Sequence, residues 1–383
     1  MFSTVDSISV DRFGGRESDP FQFFLGLSGT IWGTLFHKES DMKILVTGAA
    51  GQVGSRVVRQ LLAKNYEVTS VVLPDDPNRG RLDGLDVEIM EGNLLDASFC
   101  EQAIEGAEAV INTANLVGPL PGMSQTEFFN NNVISTFNMV SEASKQADKL
   151  QRFVHISSSG VYPNDAQTIA TEYNPVDELH PLRPEGTYPI SKLVGEEIVG
   201  GYTRQTGLRT TMLRPSGICS GTAVLGRWSV AFVCNILRAG QRSPRGSLYM
   251  KDGTELWHDL EAAAESRDQP CDIRDTAGDP WIYQLVDARD VAHGCVCALE
   301  SDSEPGEAFN VSAPEPITFA EAAEVISQAT GLPILKWQVP VRWVFDLSNL
   351  KAKNKINYQP KWGIKEMVES ALAVQRGESD GLT

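Results

Sequence analysis

A basic face is missing from this 383-residue chain, in which 50 Asp and Glu outweigh 33 Lys and Arg for a formal net charge of -17. Nucleic-acid binding needs cationic surface to neutralise phosphates, so no nucleic-acid partner is expected. The acidic excess promotes solubility without declaring a partner. Metal spacing is missing among the six cysteines. Cys295-Val296-Cys297 is not C-x-x-C and lies on an apolar helix-like run, so the cysteines read as buried thiols in a reducing compartment. His258 has no companion ligands at a useful spacing, and no metal is expected. No run reaches the roughly 20 apolar residues of a bilayer span. These absences together point to a cytoplasmic protein with no membrane contact. The apolar stretch from Phe21 to Phe36 lacks the basic n-region of a signal peptide, because Asp6, Asp11, Glu17 and Asp19 precede it, and no small-residue cleavage site follows. Residues 1–41 are expected to form a weakly ordered extension, with a packing arm or partner-binding segment as the alternative, and Met42 to open the folded domain.

What is present begins with the short apolar run Lys43 to Thr47, of strand type, which breaks into Gly48-Ala49-Ala50-Gly51-Gln52-Val53-Gly54 and continues with helical spacing of Val57, Val58, Leu61 and Leu62. In this strand, glycine turn and helix, Gly48 permits a tight turn and Gly51 lets backbone approach a pyrophosphate without a Cβ in the way. Gly54 lets the helix pack close to the strand, and Gln52, Val53 and Gly54 present N–H groups at the positive end of the helix dipole. Further along, Tyr188 and Lys192 stand four residues apart, which places them on one helix face. A phenol ionises near pH ~10 when unperturbed, and an ammonium one turn away favours the phenolate. The pair is therefore a candidate general acid/base, and a surface helix is the bland alternative.

Glycine turn and Tyr-x-x-x-Lys together resemble the extended short-chain dehydrogenase/reductases, the NAD-dependent epimerase/dehydratase family, from Met42 to about Arg376. Members carry T-G-x-x-G-x-x-G, a Ser or Thr four residues before the Tyr of a Val-Tyr pair, then Y-x-x-x-K. Counting back from Tyr162 in Ser157-Ser158-Ser159-Gly160-Val161-Tyr162, the resemblance makes Ser158 the hydroxyl that orients the substrate oxygen, with Ser157 and Ser159 as turn residues. It implies Asn93 and Leu94 near the adenine, Thr113, Ala114 and Asn115 beside the nicotinamide ribose, Asn132 fixing the central helix, and Pro215 opening the substrate pocket. The implied fold is α/β, a Rossmann-type doubly wound parallel sheet with a smaller C-terminal α/β substrate lobe. Residues 42–215 form the NAD(P)-binding domain, late strands return at about 284–312, and 216–283 with 313–376 build the lobe. Helices beginning near Glu127 and Tyr188 pair across a dimer interface in relatives, so a homodimer is implied.

The resemblance implies hydride transfer at a secondary alcohol or ketone, with Tyr188 moving the proton, Ser158 bonding the oxygen, and Lys192 lowering the tyrosine pKa and reaching the ribose. Relatives end the second strand with Asp or Glu for NAD, or with Arg or Lys for NADP. Here Val72 and Leu73 stand there; Asp75 or Asp76 could curl back to the ribose, and Arg79 or Arg81 could instead meet a phosphate, with the nearer carboxylate favouring NAD over NADP. Ser159-Gly160 occupies the place of the Asp-Glu pair of dehydratases, which argues against dehydration. Nucleotide-sugar epimerases carry an Arg for the diphosphate where this chain has Tyr283, with Arg274 or Arg342 as possible substitutes. A sugar-like substrate, including a nucleotide sugar, is the leading expectation. The alternatives are a reductase of a small non-sugar carbonyl compound and a non-catalytic dinucleotide-binding sensor. The acidic stretch from Gly240 to Asp279 reads as a lid, a dimer contact or a solvated insertion.

Overall fold

The computed structural model describes residues 42–164 and 169–378, so the expectations for residues 1–41 lie outside the described residues. The chain alternates β1 (Lys43–Thr47), α1 (Gly54–Leu62), β2 (Glu67–Val72), β3 (Glu88–Glu91), α2 (Ala97–Ile104), β4 (Ala109–Asn112), α3 (Gln125–Ser144), β5 (Arg152–Ile156), α4 (Thr187–Thr206) and β6 (Thr210–Pro215). It continues through β7 (Gly217–Cys219), α5 (Val230–Gln241), α6 (Trp257–Ala263), β8 (Cys271–Arg274), β9 (Ile282–Tyr283), β10 (Leu285–Asp287), α7 (Ala288–Glu300) and β11 (Glu307–Val311). The last elements are α8 (Phe319–Thr330), β12 (Leu335–Gln338), β13 (Val344–Phe345), α9 (Leu350–Lys355) and α10 (Ile364–Gln375).

Seven strands form one sheet in the order β11-β6-β5-β4-β1-β2-β3, and its pairings are parallel. The order reverses between β1 and β4, which makes a crevice at the carboxyl edge of the sheet, the place where doubly wound folds bind dinucleotides. Strands buried on both faces read as unbroken apolar runs, and Ile44, Leu45 and Val46 of β1 are fully buried. Helices sit on both faces: Val57, Val58 and Leu61 of α1 pack with Val291 and Cys295 of α7 on one side, while Cys100 of α2, Met139 of α3 and Val199 of α4 share a core on the other.

Chain chemistry explains the helix ends. A capping box of Ser124 and Glu127 starts α3, Asp96 caps α2 and Asp287 caps α7. Gly207, at φ 75°, stops α4 in the left-handed conformation that disfavours a Cβ.

A further core joins Trp228, Val233, Leu260, Ile273, Trp281 and Trp343 from the later chain. The stretch 240–279 is part of it, because Leu248 and Leu260 are buried and β8 pairs with β12. The expectation of a solvated insertion is thereby corrected for α6 and β8: scattered carboxylates mask two short apolar faces that only tertiary packing reveals.

Candidate active site

The glycine turn is closed so tightly that its three glycines admit nothing larger. A Cβ on Gly48, which has φ +62°, would lie 2.9 Å from Ala114 Cα, one on Gly51 3.0 Å from the Gly48 carbonyl, and one on Gly54 2.2 Å from that same oxygen. The turn therefore leans on the loop after β4, as the strand order requires. α1 begins at Val53 with no side-chain cap and no acidic residue in its first turn. An uncapped helix N-terminus behind a bare backbone turn fits an anionic pyrophosphate, both by its free N–H groups and by its dipole. Gln52 is exposed and donates to Ser220 Oγ at 2.6 Å, which links the turn to the chain leaving β7.

The loop after β4 is fixed by a relay of hydrogen bonds. Thr47 Oγ1 donates to Asn112 Oδ1 (2.6 Å), Ala114 N donates to Thr47 Oγ1 (3.3 Å), and Thr113 Oγ1 donates to the Thr47 carbonyl (2.7 Å). Asn115 Nδ2 turns back onto the Ala114 carbonyl at 2.5 Å. Asn132 of α3 clamps the same loop at both ends of Leu116, accepting from its N–H and donating to its carbonyl, each at 2.9 Å, and reaches Ser191 Oγ of α4 at 3.3 Å. The central helix, the loop after β4 and the helix of Tyr188 are thereby locked to one another by one amide.

Ser158 stands two residues beyond β5 and Tyr188 in the first turn of α4, and Ser158 is the side chain that draws the Tyr188 pKa down against the effect of burial. Ser158 Oγ also accepts from Gly160 N at 3.0 Å. Lys192 is buried, donates its ammonium to the Ile156 carbonyl at 2.8 Å, and lies 5.8 Å from the centre of the Tyr188 ring. Serine, tyrosine and lysine thus meet at the carboxyl edge beside the crevice. Their electrostatics differ from the sequence expectation. Burial pushes Lys192 down to about 7, with the Glu196 carboxylate opposing, and burial raises Tyr188 while Ser158 opposes. Burial outweighs the serine, so the phenol lies above its ordinary value. Loss of hydration disfavours both charged forms, and helical spacing alone cannot report it.

Not every expected residue faces the crevice. Leu94 is buried in the core beside α2, and its carbonyl accepts from Asn138 Nδ2. Asn93 is exposed and spends Oδ1 on the Leu95 N–H of its own turn. Asp75 is exposed with φ 58°. Pro215 is buried at the end of β6. Arg274 is ion-paired with Asp272, and Arg342 lies near Asp275 and Asp279. His258 is exposed and faces Glu255 at 2.6 Å.

Sequence reasoning missed the buried support behind the pair. Arg214, just before Pro215, grips Glu196 through Nε and Nη2 at 2.8 and 2.6 Å and donates to Tyr162 Oη at 2.7 Å; that hydroxyl donates to Asn310 Oδ1 at 2.9 Å. The only sequence signal was an ionisable residue one turn beyond Lys192.

Comparison with known proteins follows the same lines. Residues 44–312 match the NAD dependent epimerase/dehydratase family. Sterol demethylase protein B of Methylococcus capsulatus is 27% identical over 84% of this chain and 84% of its own length. L-arabinose 1-dehydrogenase (NAD(P)(+)) of Haloferax volcanii is 33% identical over 45% of this chain and 65% of its own. A short-chain dehydrogenase/reductase superfamily protein from Agrobacterium tumefaciens, solved with bound NAD, superposes with a TM-score of 0.70 at 28% identity, covering 88% of this chain and 97% of that one.

Proposed function

The chain belongs to the NAD dependent epimerase/dehydratase family, and from that premise we propose that it is an NAD(P)-dependent oxidoreductase or epimerase acting at a secondary alcohol or ketone, with Tyr188 as the proton-transfer group. The observation that carries this reading is the grouping of Ser158, Tyr188 and, one turn on, Lys192 at the carboxyl edge next to an uncapped glycine turn. A bound nicotinamide dinucleotide would supply the hydride acceptor or donor. Gly48, Gly51, Gln52, Val53 and Gly54 would hold its pyrophosphate, and Thr113, Ala114 and Asn115 its ribose side. Tyr188 passes a proton to or from the substrate oxygen, Ser158 orients that oxygen, and Lys192 offers a buried cation below its pKa of about 7. The later core, 216–283 with 313–376, forms the substrate lobe.

A sugar-like substrate is the leading reading. Arg227 lies against Cys219 and Tyr283, has no carboxylate partner among the described residues, and would suit an anionic substituent. A second reading, a non-sugar ring alcohol, is favoured by a different observation: Tyr283 stacks on Trp343 at 4.7 Å and on Phe232 at 5.6 Å, an aromatic wall that suits an apolar ring. The sterol-enzyme relative covers most of the chain, which supports it as well. Exposed Ile134 and Phe137 on α3 and Ile190 on α4 support a homodimer through those helices.

The test is a panel of sugar and sterol alcohols assayed with each dinucleotide, alongside Tyr188→Phe. Loss of the phenol hydroxyl is expected to lower turnover by about 10²–10⁴-fold while cofactor affinity stays within about threefold, since the hydroxyl acts on charge that develops only during transfer. Undiminished turnover in Tyr188→Phe overturns the assignment. Cofactor retained through purification and identified by mass would separate an epimerase, which regenerates it each cycle, from a net dehydrogenase.

A further inference from the structure

An ion pair lies buried behind the helix of Tyr188, and the proton transfer described above makes no use of it. Glu196 of α4 and Arg214 of β6 have side chains only 5% and 7% exposed. Taking two charges out of water can cost more than their attraction returns, so stability alone is a weak reason for such a pair. Glu196 follows Lys192 by four residues, which puts carboxylate and ammonium on one helix face within reach of each other. They do not pair. Both carboxylate oxygens go to Arg214, Oε1 accepting from Nε at 2.8 Å and Oε2 from Nη2 at 2.6 Å, while Lys192 Nζ donates to the Ile156 carbonyl at 2.8 Å. Arg214 is itself fixed in place. Its Nη1 donates to Tyr162 Oη at 2.7 Å, its guanidinium lies 5.2 Å from the centre of the Tyr162 ring, and that hydroxyl donates to Asn310 Oδ1 of β11 at 2.9 Å.

Lys192 is therefore a buried cation with one carbonyl at its head and, one turn on, a carboxylate that is turned away from it. Few other charges surround it. Tyr188 stands on α4 beside it, β5 brings His155, which burial keeps neutral, and β6 brings Arg214 behind the carboxylate. Tyr162, after β5, faces Arg214, and α3 brings the uncharged Asn132 and Thr136. Among the described residues Glu196 is the carboxylate that opposes the loss of hydration driving Lys192 towards neutrality. Released from the guanidinium, the same carboxylate would pair with the ammonium directly and hold its charge more firmly.

We propose that Glu196 and Arg214 are positioning residues that together set the charge on Lys192: Glu196 supports the ammonium, and Arg214 limits that support by holding the carboxylate off it. The ammonium is thereby left free for the cofactor ribose and for Tyr188. The inference deepens the functional reading above and rests on it.

The nicotinamide ring is cationic when oxidised and neutral when reduced, so a charged Lys192 beside it favours NADH over NAD, and the ratio of the two dissociation constants reports that charge without any turnover. In titrations of the full chain on both sides of neutrality, the preference for NADH is expected to weaken as pH rises through about 7. Lys192→Met is expected to flatten the profile. Glu196→Gln is expected to move the midpoint down by about one pH unit, and Arg214→Gln to move it up by about as much. A pair that only braced the fold would shift both variants the same way or neither. Because removing one partner of a buried pair can unfold a protein, Glu196→Leu combined with Arg214→Met, which strands no charge, is measured beside them; its midpoint is expected to lie between those of Glu196→Gln and the native protein. A native ratio that ignores pH, single variants whose midpoints stay put or move together, or a double variant with the native midpoint overturns these roles and leaves the functional reading standing. Binding of neither dinucleotide overturns the functional reading and this inference together.

Discussion

His155 shows how a single side chain in this fold can set a pH limit. It sits on β5, fully enclosed, with Nδ1 3.2 Å from the Asn112 amide and Nε2 without a partner. Burial, with Lys192 nearby, lowers its pKa to about 3. A free histidine protonates near pH ~6.5, so the unfolded chain takes up a proton between about 6.5 and 3 that the folded chain refuses. The folded pKa is depressed, so the contribution is intact above 6.5 and is lost as pH falls towards 3. At pH 5 the loss comes to about 2 kcal/mol by that relation. Urea unfolding at pH 7.5 and pH 5 should show this drop in the native protein and a smaller one in His155→Gln. An identical acid dependence in the two proteins would remove His155 as its source. The same burial that keeps His155 neutral depresses Lys192 to about 7, so two basic groups near the site are held at the edge of deprotonation or beyond it.

At the level of elements, the glycine turn shows a local rule reversed by packing. Alanine usually stabilises a helix over glycine by about 1 kcal/mol, and Gly54 is the first residue of α1. A Cβ there would lie 2.2 Å from the Gly48 carbonyl and 2.9 Å from Ala49 Cα, both backbone atoms that cannot swing aside. Gly54→Ala should therefore lower stability by roughly 1–3 kcal/mol and weaken dinucleotide binding, read by thermal unfolding and by titration. An unchanged or higher melting temperature would mean the turn can relax. That turn was legible in the sequence because its glycines, strand and helix follow one another without a break from Lys43 to Leu62. The Tyr188 and Lys192 pair was legible for the same reason, and so was the alternation of strands and helices, since each buried strand carries its own apolar run. What was not legible joins distant residues. Gln52 meets Ser220, and Arg214 meets Tyr162 and through it Asn310, only once the sheet has ordered its strands. That burial raises Tyr188 and lowers Lys192 was not legible either, because burial belongs to the packed protein and not to a four-residue spacing. The acidic stretch 240–279 concealed α6 and β8 because their buried faces are only a few residues long.

Across the whole molecule, the pairing of α3 with α4 organises both the site and the surface. Their inner faces hold Asn132 against Ser191, next to Lys192, while outward they expose Ile134, Phe137 and Ile190, each at 40% or more. Phe137 also meets Tyr202 of α4 with ring centres 6.1 Å apart, so an aromatic contact joins the two helices at this face. Clusters of that kind on an otherwise strongly acidic protein mark an interaction face. If two copies associate through it, the site gains from dimerisation without sharing residues, because the partner would brace the helix that carries Tyr188. A carboxylate placed at its centre would be buried unpaired, a cost of several kcal/mol, which corresponds to at least a hundredfold weaker association. Phe137→Glu should then sediment as a monomer at concentrations where the native protein is a dimer, and its melting temperature should lose the protein-concentration dependence that association imposes. A native protein that sediments as a monomer, or a variant that sediments like it as a dimer, would place the contact elsewhere and leave the α3 and α4 pairing as a purely internal brace.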